Sequence, residues 1–179
     1  LIAASGGTLI EWSCQQLMAT GTPGPLVPCQ WVWLTSPGAA TMAADWIREH
    51  DDVRIAAAGP GTAESIPDDV LPRVAHIGDG DPISSWTTFS ANLTREDHIA
   101  IPHSTLSKRR WETGHNTPYT VHPWPAYSPE PRTTSAPDAD VVCFTSPSNV
   151  HHWTSTPPPR IVAIGPTTAE ALRGELGVE

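Results

Sequence analysis

The hydroxyls, glycines and prolines of this chain fall into two kinds of cluster, and each kind occurs twice. Thr35-Ser36-Pro37 and Thr145-Ser146-Pro147 are one kind; Gly59-Pro60-Gly61-Thr62 and Gly165-Pro166-Thr167-Thr168 are the other. Each follows a short apolar run and precedes residues that favour helix. Ser or Thr is a good N-cap, proline suits the first helical turn because the N–H it lacks has no partner there, and glycine permits a tight exit from a strand. Such a junction presents free backbone N–H groups, hydroxyls and the positive end of a helix dipole. Its chemistry is anion binding. The candidate contact groups are Thr35, Ser36, Gly59, Thr62, Thr145, Ser146, Gly165, Thr167 and Thr168. Capping alone accounts for any single hydroxyl, and Gly59 and Gly165 are turn glycines first. Recurrence at one end of both halves favours ligand contact for some, with Thr168 ranked highest.

These clusters lie in longer duplicated stretches. Arg54-Ile55-Ala56-Ala57-Ala58-Gly59-Pro60-Gly61-Thr62-Ala63-Glu64 matches Arg160-Ile161-Val162-Ala163-Ile164-Gly165-Pro166-Thr167-Thr168-Ala169-Glu170, and Val32-Trp33-Leu34-Thr35-Ser36-Pro37 matches Val142-Cys143-Phe144-Thr145-Ser146-Pro147. Two blocks recurring in order mark an internal duplication. The apolar runs read as buried strands, and in a parallel sheet the junctions that follow them share one edge.

Strands are expected at residues 8–12, 31–34, 53–58, 74–77, 99–101, 141–144 and 160–164. Helices are expected at 38–50, from 61 to before 67, at 83–93, 104–112, 148–153 and 167–176, with the end of one more at 1–4 and extended chain at 119–122. Apolar Ala39, Met42, Ala43, Trp46 and Ile47 form one stripe of the helix at 38–50. Residues 15–28, with Gly, Thr and three prolines, and residues 123–137, rich in Pro, Ser and Thr, read as linkers. Alternating strands and helices give an α/β class with mainly parallel sheets flanked by helices.

The chain has 179 residues, a formal charge of -9 and only 10 Lys and Arg, so nucleic acid and membrane surfaces are poor partners. An anionic ligand must then be held by amides and hydroxyls. Cys14, Cys29 and Cys143 make an odd set without CxxC spacing, which fits a reduced cytoplasmic setting, as does the lack of a basic leader at residue 1. Cys143, inside an apolar run, is expected to be buried. His151-His152 has no metal-ligand spacing, so no metal is expected. Lys108-Arg109-Arg110 reads as a solvated helix face. Trp124 and Tyr127 fit either ligand contact or packing on proline. The glycine spacing is not that of a phosphate loop, and there is no Gly-x-Ser-x-Gly elbow.

The residues 142–150 and 164–172, with Leu34-Thr35-Ser36-Pro37 and Gly59-Pro60-Gly61-Thr62-Ala63 in order before them, resemble uroporphyrinogen-III synthase along nearly the whole chain. The resemblance implies two similar α/β domains joined by a two-stranded linker, with the substrate in the cleft between them. The domains would be residues 1–13 with 128–179, and 26–120; residues 14–25 and 121–127 would be the linkers. The family closes hydroxymethylbilane, a linear tetrapyrrole with several carboxylates, to uroporphyrinogen III. Water is lost and ring D is inverted through a spirocyclic intermediate, without cofactor. A monomer is expected.

The family carries a Tyr in a Val-Tyr-x-Thr pattern where this chain has Thr120-Val121-His122-Pro123, so the resemblance assigns proton donation to His122, whose imidazole suits near-neutral pH. Thr168 is the other catalytic candidate. His103 and Ser104 replace a Gly-Asn pair of the family and are candidates for substrate carboxylates. Relative to the family, a first strand and a last strand and helix are expected beyond the two ends. A binding module of the same fold, holding a tetrapyrrole or other polyanion without turnover, is the alternative.

Overall fold

A computed structural model of the chain describes residues 7–107, 117–153, 155–156 and 160–177. The expected helix end at 1–4, the proline break at 157–159 and Lys108-Arg109-Arg110 lie outside them. The fold is mixed α/β, with a mainly parallel central sheet flanked by helices. The chain divides into two compact units, Leu17–Pro129 and Leu1–Gln16 with Glu130–Glu179. The boundaries fall inside two strands, β1 (Gln15–Ala19) and β6 (Thr120–Pro131).

In the larger unit, β2 (Trp31–Leu34), β3 (Arg54–Ala57), β4 (Val74–Ile77) and β5 (His98–Ser104) join β6 in a sheet of order β1-β6-β5-β2-β3-β4. Pairs from β6 to β4 are parallel. The chain runs outward from β2 to β4, then crosses back so that β5 lies on the other side of β2. Helix α1 (Pro37–Glu49) and the short α2 (Pro60–Ala63) belong to the outward run, and α3 (Pro82–Ser90) to the return. The sheet therefore buries both faces. Val32, Leu34, Ile55 and Ala57 pack with Ala39, Ala43, Trp46 and Ile47 of α1. Trp33, Ala56, Ala58, Ile99 and Ile101 pack with Phe89 of α3. These strands read as continuous apolar runs because neither face is left to water. Arg73 closes the far end of α1, its guanidinium donating to the carbonyls of Ile47 (2.6 Å) and His50 (2.8 Å).

The smaller unit has a parallel pair, β7 (Val142–Phe144) and β8 (Ile161–Ala163), with α4 (Pro147–His151) and α5 (Pro166–Leu176). Phe144, Val150 and Leu172 form its core, with Val142, Ile161 and Ala163 packed against them. Helices cover only that face of the pair. Cys143 points the other way and is exposed, not buried as expected, because successive side chains of a strand alternate between faces.

Three further expectations are corrected. Residues 8–12 form no strand. The expected linker at 15–28 begins with β1, and the linker at 123–137 is a strand as far as Pro131. Four prolines made β6 look like a breaker, yet their positions allow pairing. Thr120 N–H donates to Asp97 O and Thr105 N–H to Tyr127 O, so residues 120, 122, 124 and 127 face β5. Thr20 N–H donates to Ala126 O and Arg132 N–H to Cys14 O, which sets β1 antiparallel on the opposite side. By alternation, Pro123 and Pro125 face away from β5 at a level past the end of β1. Pro129 and Pro131 face away from β1 at a level past the end of β5. Each missing N–H falls where no strand of the described residues lies opposite it.

At the amino ends of the strands, buried Asp97 ties three elements together. It accepts from the N–H and hydroxyl of Thr94 and from the indole of Trp31 (3.1 Å), and lies 3.6 Å from Arg54, whose guanidinium covers the Trp31 ring. Burial alone would raise its pKa; those donors and the Arg54 charge together outweigh burial and hold it below the ordinary 3.8. The stability this adds is therefore complete above the ordinary value and is lost as pH falls through the lowered one. Asp97→Asn should cost about 1–3 kcal/mol near neutral pH and flatten the acid side of the stability profile, as read by urea unfolding at several pH values.

Candidate functional site

The order of the larger sheet reverses between β2 and β5, and open α/β sheets bind ligands outside the carboxyl ends of the strands at such a reversal. Thr35 and Ser36 leave β2 at this point, and His103 and Ser104 end β5 beside them. Ser36 is the N-cap of α1: its backbone is extended and its hydroxyl accepts from Ala39 N–H at 3.1 Å. The same hydroxyl shares a 3.1 Å hydrogen bond with that of Tyr127 on β6. The Tyr127 ring lies against the first turn of α1, since a Cβ built on Gly38 would stand 3.4 Å from the Tyr127 hydroxyl and 2.7 Å from Leu17. His103 is buried and its Nδ1 donates to Ser104 O at 2.9 Å; the Ser104 hydroxyl accepts from Leu106 N–H. A phenol, two serine hydroxyls and an imidazole thus belong to one edge, at the positive end of a 13-residue helix.

Next to it, the chain leaving β3 reaches Gly59, the N-cap of α2, with the same extended backbone. Thr62 is buried. Gly59 is also required by packing: a Cβ there would stand 2.6 Å from the Cα of Gly80, whose φ of 95° turns the chain toward α3.

The smaller unit repeats these junctions. Ser146 caps α4 with φ -158 and ψ 157, against -161 and 161 at Ser36, and accepts from Asn149 N–H. Thr145 is exposed and accepts from the Asn149 amide at 3.0 Å. Gly165 caps α5 as Gly59 caps α2. Thr167 is exposed, whereas Thr168 is 2% exposed. Thr62 and Thr168 hold the same position in their helices and are buried alike.

His122 is placed elsewhere. It pairs laterally with Ala100, four residues before the end of β5, which is about 13 Å along the strand. Its ring meets that of His98 end to end, the planes 17° from parallel, with Nε2 2.9 Å from Nδ1 of His98. Burial, and then the neighbouring charge of His98, lower its pKa from the ordinary 6.5. The phenol five residues further on stands at the junction instead. Tyr127 was open to two readings in the sequence, and a sharper signal was available: β6 is parallel to β5, so the residue level with the end of β5 had to lie well beyond His122.

No family model and no curated protein matches the chain. Among solved structures it is similar to uroporphyrinogen-III synthetase from Helicobacter pylori 26695, with a TM-score of 0.65 and 15% identity over 92% of this chain and 81% of that one. At that identity the likeness is one of fold.

The two glycine caps should respond differently to a methyl group. No described atom lies within 4 Å of a Cβ on Gly165, so Gly165→Ala should lose only the better cap, under about 1 kcal/mol. Gly59→Ala must also displace the Gly80 backbone and should cost about 1–3 kcal/mol more. Thermal unfolding of the two variants checks this, and equal losses would contradict the packing account of Gly59.

Proposed function

We propose that the chain is a uroporphyrinogen-III synthase, acting on hydroxymethylbilane in the cytoplasm as a cofactor-independent lyase. The observation that carries this reading is the doubled pair of Ser-Pro and Gly-Pro strand-to-helix junctions with matching cap geometry. The likeness of fold supports it. A polyanion can be held at such junctions by amide N–H groups and hydroxyls, which suits a protein of net charge -9. Thr35, Ser36, Ser104, Thr145, Ser146 and Thr167 are the groups we assign to the carboxylates.

The chemistry needs an acid where the hydroxymethyl oxygen departs as water. We assign that role to Tyr127 rather than to His122. The Tyr127 phenol shares a hydrogen bond with Ser36 Oγ, which is itself fixed by Ala39 N–H. Ring D then attacks through its substituted carbon, and the spirocyclic intermediate fragments and recloses with the ring inverted. The proton lost from the pyrrole carbon at closure balances the one supplied to the departing water. Holding the bilane curled, with its reacting ends close, supplies much of the rate through orientation.

The test is to supply freshly made hydroxymethylbilane and separate the isomers of the cyclised product. Isomer III in excess is expected, and Tyr127→Phe should lower its rate by about 100-fold with little change in melting temperature. Isomer I alone, at the uncatalysed rate, would defeat the enzyme reading; tight uroporphyrinogen binding alongside it would select the binding module instead.

A further inference from the structure

The outer edge of β6 borders a slot that the function proposed above does not use. Thr120, His122 and Trp124 direct their backbone groups at β5, so those of Val121 and Pro123 point away from it. Strand β1 does not reach this level, and the segment that follows it runs past instead. It is tied to β6 where the Thr20 hydroxyl donates to Pro125 O at 2.6 Å and the Trp124 indole to Thr22 O at 2.8 Å. Further on it packs on α1, so closely that a Cβ on Gly24 would overlap the Trp46 ring. Between this segment and the strand edge lies an open slot of about 270 Å³, lined by residues 22–25 and 121–125. All of it belongs to the larger unit.

The slot is rich in acceptors and poor in donors. Four of its nine lining residues are Pro23, Pro25, Pro123 and Pro125, and proline brings a carbonyl but no N–H. The carbonyls of Val121 and Pro123 have no partner among the described residues. His122 Nε2 is engaged with His98 Nδ1 at 2.9 Å. The nitrogens of an imidazole point in nearly opposite directions, so Nδ1 of His122 is turned away from β5 and toward the slot that the residue lines. Burial, and then the neighbouring His98, lower the pKa of His122 from the ordinary 6.5, so the ring is neutral near neutral pH. With its proton on Nε2, Nδ1 is an acceptor. No Asp, Glu, Lys or Arg occurs in residues 13–44 or 113–129. A carboxylate in the slot would therefore meet carbonyl dipoles with no cation to hold it, whereas a group made of donors alone fits.

We propose that the slot binds the primary ammonium group of a small organic amine. The ammonium donates to His122 Nδ1 and to one of the two outward carbonyls, which stand about 6.7 Å apart along the strand and are too distant to share it. Its third N–H stays in water at the open side, and the apolar body lies against Trp124 and the prolines. Binding selects the tautomer in which His122 Nε2 donates to His98 Nδ1. No covalent bond forms, and no net proton is taken up or lost.

Benzylammonium, benzyl alcohol and benzoate share one body and differ in the polar group. Each is titrated into the full chain and followed by amide chemical shifts. Benzylammonium should shift Thr22, Gly24, Val121, His122 and Trp124, and should bind about tenfold or more tighter than benzyl alcohol, with no binding of benzoate in the slot. His122→Phe keeps a flat ring without the acceptor and should weaken benzylammonium by about tenfold. Pro23 is exposed, and Pro23→Lys, which brings a competing ammonium to the mouth, should weaken it by about fivefold with the melting temperature unchanged. Equal binding of the alcohol, preference for benzoate, or shifts spread over the acidic surface instead of the slot would overturn the site. If His122→Phe does not fold, the three probes on the unsubstituted chain decide alone. None of these readouts depends on tetrapyrrole turnover, so the fate of the synthase reading is separate.

Discussion

Proline at the first position of each helix, a few residues past the strand before it, is the constraint on which the architecture rests. Every α-helix among the described residues has Pro at its first position: Pro37, Pro60, Pro82, Pro147 and Pro166. The ring acts on both sides. It bars the preceding residue from helical backbone, and it enters the helix where an N–H would have had no partner. Ser36, Gly59, Ser146 and Gly165 are accordingly extended, all with φ between -158 and -174. The start of the helix is thus fixed to one peptide at each junction. In a parallel sheet that brings cap hydroxyls and first-turn N–H groups to one edge, where an anion can use them.

The duplication shows how far such local rules reach. Both copies build the same caps and bury the same third helical residue, Thr62 or Thr168. Their surroundings differ. Trp33, Ala56 and Ala58 pack on the face of the larger sheet that α3 covers, while their counterparts Cys143, Val162 and Ile164 are exposed. Backbone conformation follows the local sequence, and burial follows the neighbours. The glycines make the same point: Gly59 is required by the loop packed against it, whereas Gly165 serves its turn alone.

That division explains what could be read from the sequence. Strands β2, β3, β7 and β8 and the helices after them were legible because apolar runs, prolines and caps act within a few residues. Strand β6 was not, because proline is a local signal against a strand and the pairing that overrides it comes from β5 and β1, more than twenty residues away in sequence. Reading residues 123–137 as linker then hid the place of Tyr127 beside Ser36. The resemblance placed the family tyrosine at His122, near the start of the extended segment, while the phenol at the junction lies five residues later, past a register shift beside His103. Thr168 ranked high because it recurs, but recurrence arises as readily from packing as from function, and its burial points to packing.

The positions of the four prolines in β6 carry this further. A strand that changes partners along its length has two stretches where one side is unpaired, and those stretches lie on opposite sides. Prolines spaced by two stay on one side; passing to the other side requires a change of parity between Pro125 and Pro129, and the extra residue at the register shift supplies it. The same shift brings Tyr127 round to face β5 and delivers its hydroxyl to Ser36. One inserted residue therefore serves two ends: it lets a proline-rich segment pair first with β5 and then with β1, and it places the phenol at the edge where the sheet order reverses. Pairing the same residues without the shift would turn Tyr127 to the other side of β6 and set Pro129 and Pro131 against β1, so the strand pairing and the site geometry depend on the same local irregularity.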